Sequence, residues 1–192
     1  MEMRCAGRAL PLCYDGAAES FFEALERSAK GDILVLDNDG RLDQSCMGDV
    51  MASELRGAGL GGLVIWGVHR DSEALVKMGW PIFSLGTNPY AMAGDRVDAA
   101  YSPTARCGSV AVSANDFVIC DCDGVIFIDV EEKARVIDVA TSIAERESML
   151  ISSLEAGSTL RRQLGYDDFL RHRTANPSLR FSEYVKDRYK GN

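Results

Sequence analysis

The chain has 192 residues, 46% of them hydrophobic and 26% charged, and its net charge is −8. This length allows one domain with a sizeable core and an appendage, and the composition is ordinary for a globular protein. The negative charge argues against a nucleic-acid partner, because phosphate binding needs clustered Lys and Arg. No apolar run approaches the ~20 residues of a membrane span, and the N-terminus carries no apolar signal-peptide core. We therefore expect a cytoplasmic protein with no membrane partner.

Six cysteines occur without CxxC or other paired-ligand spacing. Two of them, Cys120 and Cys122, would share one face if both belonged to the same strand. Such neighbours suit two small core residues better than a disulfide or a zinc site. Reduced thiols in a cytosolic protein are the favoured interpretation.

In the first half of the chain, short apolar runs alternate with helical patterns. The predicted strands are 9–12, 33–36, 63–66 and 81–85, and the predicted helices are 17–29, 48–57 and 71–78. In the second helix, which Gly48 opens, the expected apolar contacts are Val50, Met51 and Leu55. Asp71 or Ser72 lies near the N-cap of the third helix.

A strand-rich block and a long helix follow. The predicted strands are 110–112, 116–122 and 125–128, with a turn at 121–124. A helix is predicted from about 130 to 155, after a capping-box pattern formed by Asp129 and Glu132 and before a stop at Gly157. Strand–helix alternation followed by a strand cluster indicates an α/β domain with a layered architecture.

The last part of the chain differs from the rest. We divide the sequence into a catalytic domain, 1–157, and a C-terminal extension, 158–192, which is helical or irregular and is broken at Asn176-Pro177. The extension is basic in places, but acids interrupt its Lys and Arg, which is typical of a solvated helical surface. It is too short and too polar to form a core alone, so we expect it to pack on another surface, such as a neighbouring subunit.

Two charged residues, Arg70 and Asp71, follow the apolar run 63–66 where the predicted strand ends. The Arg70 guanidinium is a planar, permanently charged donor for an oxyanion. The Asp71 carboxylate suits a divalent ion such as Mg²⁺, which keeps several waters and needs only one or two protein carboxylates. An isolated Arg-Asp pair is more often a helix cap or a surface pair, and spacing alone does not bring another acid to it.

That other acid is Asp49, which twenty residues separate from Arg70. Because Gly48 opens a predicted helix, the N–H groups of Asp49, Val50 and Met51 can point into a cleft and bind a carboxylate. Asp49 can also orient a water molecule or relay a proton. Together with Arg70 and a metal, these groups suit a small 2-oxo acid whose keto oxygen becomes an enolate.

The Gly48-Asp49 and Arg70-Asp71 pattern resembles class II 4-hydroxy-4-methyl-2-oxoglutarate/4-carboxy-4-hydroxy-2-oxoadipate aldolases. These belong to the superfamily of the regulator of ribonuclease E activity A. The resemblance extends from about Gly7 to Glu147. It includes the segments 31–37, 61–65, 81–83 and 121–125.

The resemblance implies a swivelling β/β/α domain and a role for each matched residue. Gly48 to Met51 would hold the pyruvyl carboxylate, Asp49 would orient a water, Arg70 would stabilise the enolate and Asp71 would bind Mg²⁺ or Mn²⁺. Relatives form homotrimers or hexamers with active sites at subunit boundaries. A carboxylate from a neighbouring subunit also approaches the metal in the aldolases, and Glu145 and Glu147 are the candidates here.

The implied activity is cleavage of a 4-hydroxy-2-oxo acid to pyruvate, with oxaloacetate decarboxylation as a side activity. The alternative is a non-catalytic regulator that binds an RNA-processing nuclease. Retention of Asp49 and Asp71 favours catalysis, because the regulator branch typically lacks the full set of catalytic acids. Trp66 stands where aldolases often have Asp, and His69 replaces a small or aliphatic residue. Both differences point to an altered pocket wall. His69 is a possible proton carrier, although a structural role is the more common one for a single His.

Overall fold

The computed structural model describes residues 3–91, residue 102 and residues 104–189, the last three of these by their backbone only. The strands are β1 (Cys5–Cys13), β2 (Ile33–Asp37), β3 (Gly62–His69), β4 (Ile82–Thr87), β5 (Thr104–Cys107), β6 (Val110–Ser113), β7 (Asp116–Asp121) and β8 (Gly124–Asp129). The helices are α1 (Glu19–Leu25), α2 (Asp49–Gly57), α3 (Ser72–Met78), α4 (Lys133–Glu155), α5 (Leu160–Gln163), α6 (Tyr166–Ala175) and α7 (Phe181–Tyr189). Among the described helices, none combines the length and the apolarity required to cross a bilayer.

A six-stranded mixed sheet organises the first part of the chain, with the strand order β4-β3-β2-β1-β7-β8. Strands β1 to β4 are parallel and are joined through α1, α2 and α3, whereas β7 and β8 form an antiparallel hairpin on the other side of β1. Strands β5 and β6 make a separate two-stranded sheet. Parallel neighbours require such helical crossovers, which place the carboxyl ends of β1 to β4 at one edge.

Two hydrophobic clusters define the layers. One cluster packs α1, α2 and α3 against one face of the sheet, through buried residues such as Phe21, Leu55 and Leu75. The other lies on the opposite face and includes Ala105 of β5 and Val112 of β6. The successive layers are therefore helices, a main sheet and a second β layer, so the predicted α/β fold with β/β/α layering is confirmed.

Several predicted boundaries in the first half are wrong. Strand β1 begins at Cys5 instead of Ala9, because its first half pairs antiparallel with β7 while its second half pairs parallel with β2. Helix α1 begins at Glu19 instead of Ala17, since the Asp15 carboxylate accepts hydrogen bonds from the Ala17 N–H and the Ser20 hydroxyl and holds a turn there. The first error comes from a long-range pairing, and the second from a local turn at Asp15.

The second half brings two further corrections. Cys120 lies in β7 and is buried, whereas Cys122 lies in the following turn and is exposed, so the two do not share a strand face. The Asp129 carboxylate accepts a hydrogen bond from the Glu131 N–H, which closes a turn before α4, and the helix begins at Lys133 instead of near residue 130. The strand β5 was not predicted.

The chain divides into two compact units, residues 1–134 and 135–192. Every residue of α4 is exposed or half-buried. Within the second unit, Phe169 is buried and its ring lies 5.0 Å from that of Phe181 and 5.7 Å from that of Tyr184, measured between centroids. The C-terminal segment thus forms a small aromatic core of its own, which the sequence analysis did not expect. Its packing on a neighbouring subunit and the domain boundary at 157 stay predictions, and 190–192 lie outside the described residues.

Candidate active site

The candidate site lies where β3 ends and α2 begins. The segment before α2 runs beside the end of β3: the Cys46 N–H donates to the Val68 carbonyl at 3.1 Å, and the Arg70 N–H donates to the Met47 carbonyl at 3.0 Å. These backbone hydrogen bonds place Gly48 directly against the two residues that follow β3. The long-range contact that spacing alone left open is therefore present in the structure.

The Asp71 carboxylate is the centre of this arrangement. Its Oδ2 atom lies 3.3 Å from the backbone nitrogen of Asp49, which donates a hydrogen bond to it, and 3.4 Å from Nε of Arg70. The backbone carbonyl of Asp71 accepts from the Ala74 N–H in the first turn of α3. The structure thus brings the backbone N–H of Asp49 and the side chains of Arg70 and Asp71 together in the first unit.

Gly48 is required here by lack of space. A Cβ at this position would lie 1.9 Å from Oδ2 of Asp71 and 3.0 Å from Nε of Arg70. Its dihedral angles, φ −135° and ψ −161°, are extended and open to any residue. Any side chain at Gly48 would consequently displace the carboxylate or the guanidinium.

Asp71 has an uncommon backbone conformation, with φ 62° and ψ 35°. Asp and Asn adopt this left-handed region more readily than other residues with a side chain, but it still carries strain. The conformation lets Asp71 end the extended strand segment and begin α3 while its carboxylate turns towards the start of α2. Such strain is concentrated at functional sites, where surrounding structure maintains it.

Helix α2 presents its N-terminus to the same place. Gly48 is the N-cap and the helix begins at Asp49, one residue after the predicted start, and N–H groups in the first turn lack intrahelical acceptors. Leu55 is buried and Met51 is half-buried against the core, but Val50 is 82% exposed, so its predicted role as an apolar contact is wrong. Val50 therefore lies at the surface in the first turn of α2.

The donor set fits a hard divalent cation. The Asp71 side chain is 39% exposed, and its carboxylate occupies the space that the missing Cβ of Gly48 provides. A single accessible carboxylate is sufficient for Mg²⁺, which keeps most of its water ligands. Glu145 and Glu147 lie on α4 in the second unit and are exposed, and their approach to a metal stays a prediction.

Comparison with protein families gives this arrangement a context. Residues 1–127 match the model described as RraA-like: Aldolase/RraA. The chain belongs to the RraA-like family.

Individual relatives of this RraA-like chain are distant. It is 24% identical over 142 residues to Protein DlpA of Legionella pneumophila. The match covers 72% of this chain but only 22% of that protein. The chain therefore spans about a fifth of that curated relative's length. Among solved structures, an uncharacterized protein from Pseudomonas syringae has a TM-score of 0.72 at 24% identity, covering 83% of this chain and 77% of that one. This similarity concerns the fold alone.

Streptomyces coelicolor RraAS2, described as an unusual member of the RNase ES inhibitor RraA protein family, has a TM-score of 0.68. It is 25% identical to this chain, and the match covers 78% of both chains. The family name joins aldolases with regulators, so membership establishes the fold and the superfamily without choosing between catalysis and inhibition.

His69 is held by hydroxyl groups on both sides of its ring. Its Nδ1 lies 2.9 Å from the Ser84 hydroxyl, and its Nε2 lies 3.3 Å from the Ser72 hydroxyl. Burial lowers the pKa of His69, and the charge of Asp71 acts in the opposite direction. In this RraA-like chain the imidazole therefore ties the end of β3 to β4 and α3, which supports the structural role over that of a proton carrier.

Tyr14 is a neighbour of the site that the sequence analysis missed. It follows β1 and packs partly against the helix-side core, and the positive charge of Arg70 acts to lower its pKa. Burial is the main cause that raises the pKa of Tyr14 to about 12, and Cys46 and Asp15 add to the rise. The hydroxyl consequently stays protonated well into the alkaline range. Its position after a strand in the parallel series was the available signal.

Trp66 lines a different cleft of about 520 Å³, between β3–β4 and the β7–β8 turn. The described residues that line this cleft include Phe83 and Cys107 but none of the four residues grouped around Asp71. The indole packs close to Gly40 and Gly108, where a Cβ would lie 3.0 Å and 3.8 Å from it. The expectation that Trp66 alters the wall of the keto-acid pocket therefore finds no support in this geometry.

Proposed function

We propose that this protein is a divalent-metal-dependent lyase that cleaves a 4-hydroxy-2-oxo acid to pyruvate and a second carbonyl compound. One observation carries the proposal: Gly48 and the Asp49 N–H from one segment lie against the carboxylate of Asp71 and the guanidinium of Arg70 from a distant one. Family membership supports it, because the matched model includes aldolases. Decarboxylation of oxaloacetate is the expected side activity, since it passes through the same pyruvate enolate.

Substrate binding would use the start of α2 and the guanidinium. The N–H groups of Val50 and Met51, in the first turn of α2, would hold the substrate carboxylate, aided by the positive end of the helix dipole. Arg70 would donate to the keto oxygen, and its charge would stabilise that oxygen as it becomes an enolate. These contacts fix the substrate by its pyruvyl half, which every substrate of the class shares.

Asp71 would hold Mg²⁺ or Mn²⁺, which supplies Lewis-acid stabilisation of the enolate oxygen. Asp49 would orient a water molecule that removes the proton from the C4 hydroxyl of the substrate. The C3–C4 bond then breaks, its electron pair forms the enolate and the C4 carbon leaves as a carbonyl compound. Protonation of the enolate at C3 gives pyruvate.

The test is a coupled pyruvate assay over a panel of 4-hydroxy-2-oxo acids and oxaloacetate, with Mg²⁺ or Mn²⁺ and with EDTA. We expect metal-dependent pyruvate release that EDTA abolishes and that added Mg²⁺ restores. Arg70→Ala should reduce turnover at least about 100-fold, because the enolate loses its guanidinium donor. Absence of pyruvate from every substrate at saturating metal would overturn the proposal.

The second candidate is a regulator that binds an RNA-processing nuclease. The observation that favours it is the 25% identity to RraAS2, a member of an RNase ES inhibitor family, over 78% of both chains. Isothermal titration of the full chain into an RNase ES-type endonuclease measures this directly. Saturable binding without metal-dependent turnover would favour the regulator, whereas turnover without binding would favour the lyase.

A further inference from the structure

All six cysteines lie within the described residues, and all are thiols in this structure. Two of them face each other between neighbouring strands. Cys5 of β1 is the register partner of Cys120 of β7 in an antiparallel ladder. Both side chains pack in the hydrophobic cluster between the main sheet and the second β layer, so they point in the same direction.

The backbone geometry of such a pair suits a disulfide. Residues directly opposite each other on antiparallel strands have Cα atoms about 4.5–5.5 Å apart, and disulfides join Cα atoms about 4.4–6.8 Å apart. The Cys5 sulfur also lies against Gly62, where a Cβ would come within 2.7 Å of it. The glycine thus provides the space that the Cys5 sulfur occupies in the core.

The two thiols differ in a way that suits stepwise oxidation. Cys120 is buried and Cys5 is half-buried, so Cys5 is the one that an external reagent reaches first. A hydrogen bond from the Cys120 thiol lowers the pKa of Cys5, and the same bond is the main cause that raises the pKa of Cys120. Cys5 is therefore the better nucleophile of the pair.

We propose that Cys5 and Cys120 form a reversible cross-strand disulfide by exchange with a small-molecule disulfide of the glutathione type. The Cys5 thiolate attacks one sulfur of oxidised glutathione, forms a mixed disulfide and releases one glutathione thiolate. The Cys120 thiol loses its proton to that thiolate, attacks the Cys5 sulfur and releases the second glutathione. The protein dithiol is oxidised, one oxidised glutathione is reduced and two glutathione molecules result. This proposal does not depend on the lyase activity.

The position of the pair gives the bond a structural consequence. β1 and β7 meet where the parallel part of the sheet, β1 to β4, joins the antiparallel hairpin of β7 and β8. A Cys5–Cys120 disulfide would link these two parts covalently. Because it closes a long loop, it restricts the unfolded chain more than the folded one and stabilises the first unit.

The other cysteines provide controls. Cys13 and Cys122 are exposed, and Cys46 is buried in the helix-side cluster on the opposite face of the sheet. Cys107 belongs to the same cluster as the pair and lies near Cys120, so it is the competing partner. A variant with both Cys13→Ser and Cys122→Ser removes the exposed thiols while it leaves the pair intact.

The experiment oxidises the full-length native protein with oxidised glutathione, blocks remaining thiols with iodoacetamide and maps disulfides by non-reducing peptide mass spectrometry. We expect a peptide pair joined through Cys5 and Cys120, its loss on reduction and a rise in Tm of at least about 5 °C on oxidation. The Cys13→Ser/Cys122→Ser variant should behave in the same way, and Cys5→Ser should lose both the link and the Tm rise.

Three outcomes would overturn the proposal. One is a link from Cys107 to either member of the pair in the wild-type protein. Another is glutathione retained on Cys5 without any cross-link. The third is an oxidation-dependent rise in Tm that persists in Cys5→Ser. The mapping uses the wild-type chain, so the conclusion does not depend on whether a Cys120 variant folds.

Discussion

Two places in the first unit gather side chains of the kind that hold a divalent cation, and they are built in different ways. At the β7–β8 turn, one ligand atom each from Asp121, Cys122 and Asp123 lies within 4.8 Å of the others. These residues are consecutive and exposed, and the Asp121 carboxylate accepts a hydrogen bond from the Asp123 N–H, as in an ordinary turn. Their proximity follows from the covalent chain alone.

The site around Asp71 places a single carboxylate, but with more constraints. Its residues come from two segments twenty residues apart, Asp71 adopts a left-handed conformation, and Gly48 leaves only enough room for a carboxylate. The left-handed backbone of Asp71 lowers the stability of the folded chain, a free-energy cost that an ordinary surface turn does not have. A constrained carboxylate with a cationic neighbour is therefore stronger evidence of a site than a larger number of clustered ligand groups.

The largest effect should come from Asp71→Asn. Asn tolerates the left-handed backbone and has nearly the same shape, so the fold should persist while the anionic metal ligand is lost. Pyruvate release under saturating Mg²⁺ should fall about 1,000-fold or more. A coupled assay with a circular dichroism control measures this, and turnover within about threefold of wild type would remove Asp71 from its proposed role.

Gly48→Ala should have the next largest effect. The added Cβ would clash with the Asp71 carboxylate, although the extended backbone at Gly48 accepts alanine. We expect turnover to fall about 100-fold, because misplacing a catalytic group by about 1 Å has effects of that size.

Gly57→Ala is the matched control, because Gly57 lies in the same helix α2. Outside the backbone of that helix, a Cβ at Gly57 would meet no described atom within 4 Å. This variant should retain full activity and gain slightly in stability. Equal losses in both alanine variants would show that α2 tolerates no added methyl group, and the clearance argument for Gly48 would then fail.

Much of this arrangement could be predicted from sequence because its parts are local. The apolar runs of β2 and β3, Gly48 as a helix start and the pair Arg70-Asp71 after a strand each have a short-range pattern. Their convergence could not be derived from spacing, because it depends on the backbone hydrogen bonds that join the segment before α2 to the end of β3, such as the one from Arg70 to Met47. The resemblance to known aldolases supplied that step in advance.

Other features depend on tertiary structure in a way that no local pattern records. The first half of β1 pairs with β7, more than a hundred positions along the chain, so its start at Cys5 could not be read from the run 9–12. Val50 matches the apolar pattern of the predicted helix, yet in the first turn of α2 it is exposed. The effect of Arg70 on the pKa of Tyr14 depends on the strand order, in which β1 and β3 flank β2.

A smaller effect concerns pH and distinguishes a structural His69 from a catalytic one. Burial lowers the pKa of His69 in the folded state below its ordinary value near 6.5. The unfolded chain therefore binds more protons than the folded chain as the pH falls through that value. The contribution to stability is thus present above that pH and is lost on acidification towards the folded-state pKa.

The measurement is urea unfolding of wild type and His69→Asn between pH 5 and 8 (roughly the window in which histidine titrates). The difference in unfolding free energy between the two proteins should shrink at low pH, by less than about 1 kcal/mol, because the ring is only half-buried. A pH-independent difference would contradict this account. Loss of turnover without any change in this stability difference would instead assign His69 to catalysis.

The smallest effect is expected at the β7–β8 turn. Asp121→Asn with Asp123→Asn removes two of the three clustered ligand groups and keeps their size, and asparagine also forms the turn hydrogen bond. We expect turnover and the Mg²⁺ concentration for half-maximal activity to change less than about twofold, since exposed acids on a turn bind Mg²⁺ weakly. A large loss of metal response here, with Asp71→Asn still active, would reverse the comparison. The cation would then belong to the turn, and Asp71 would serve only to join β3 to α3.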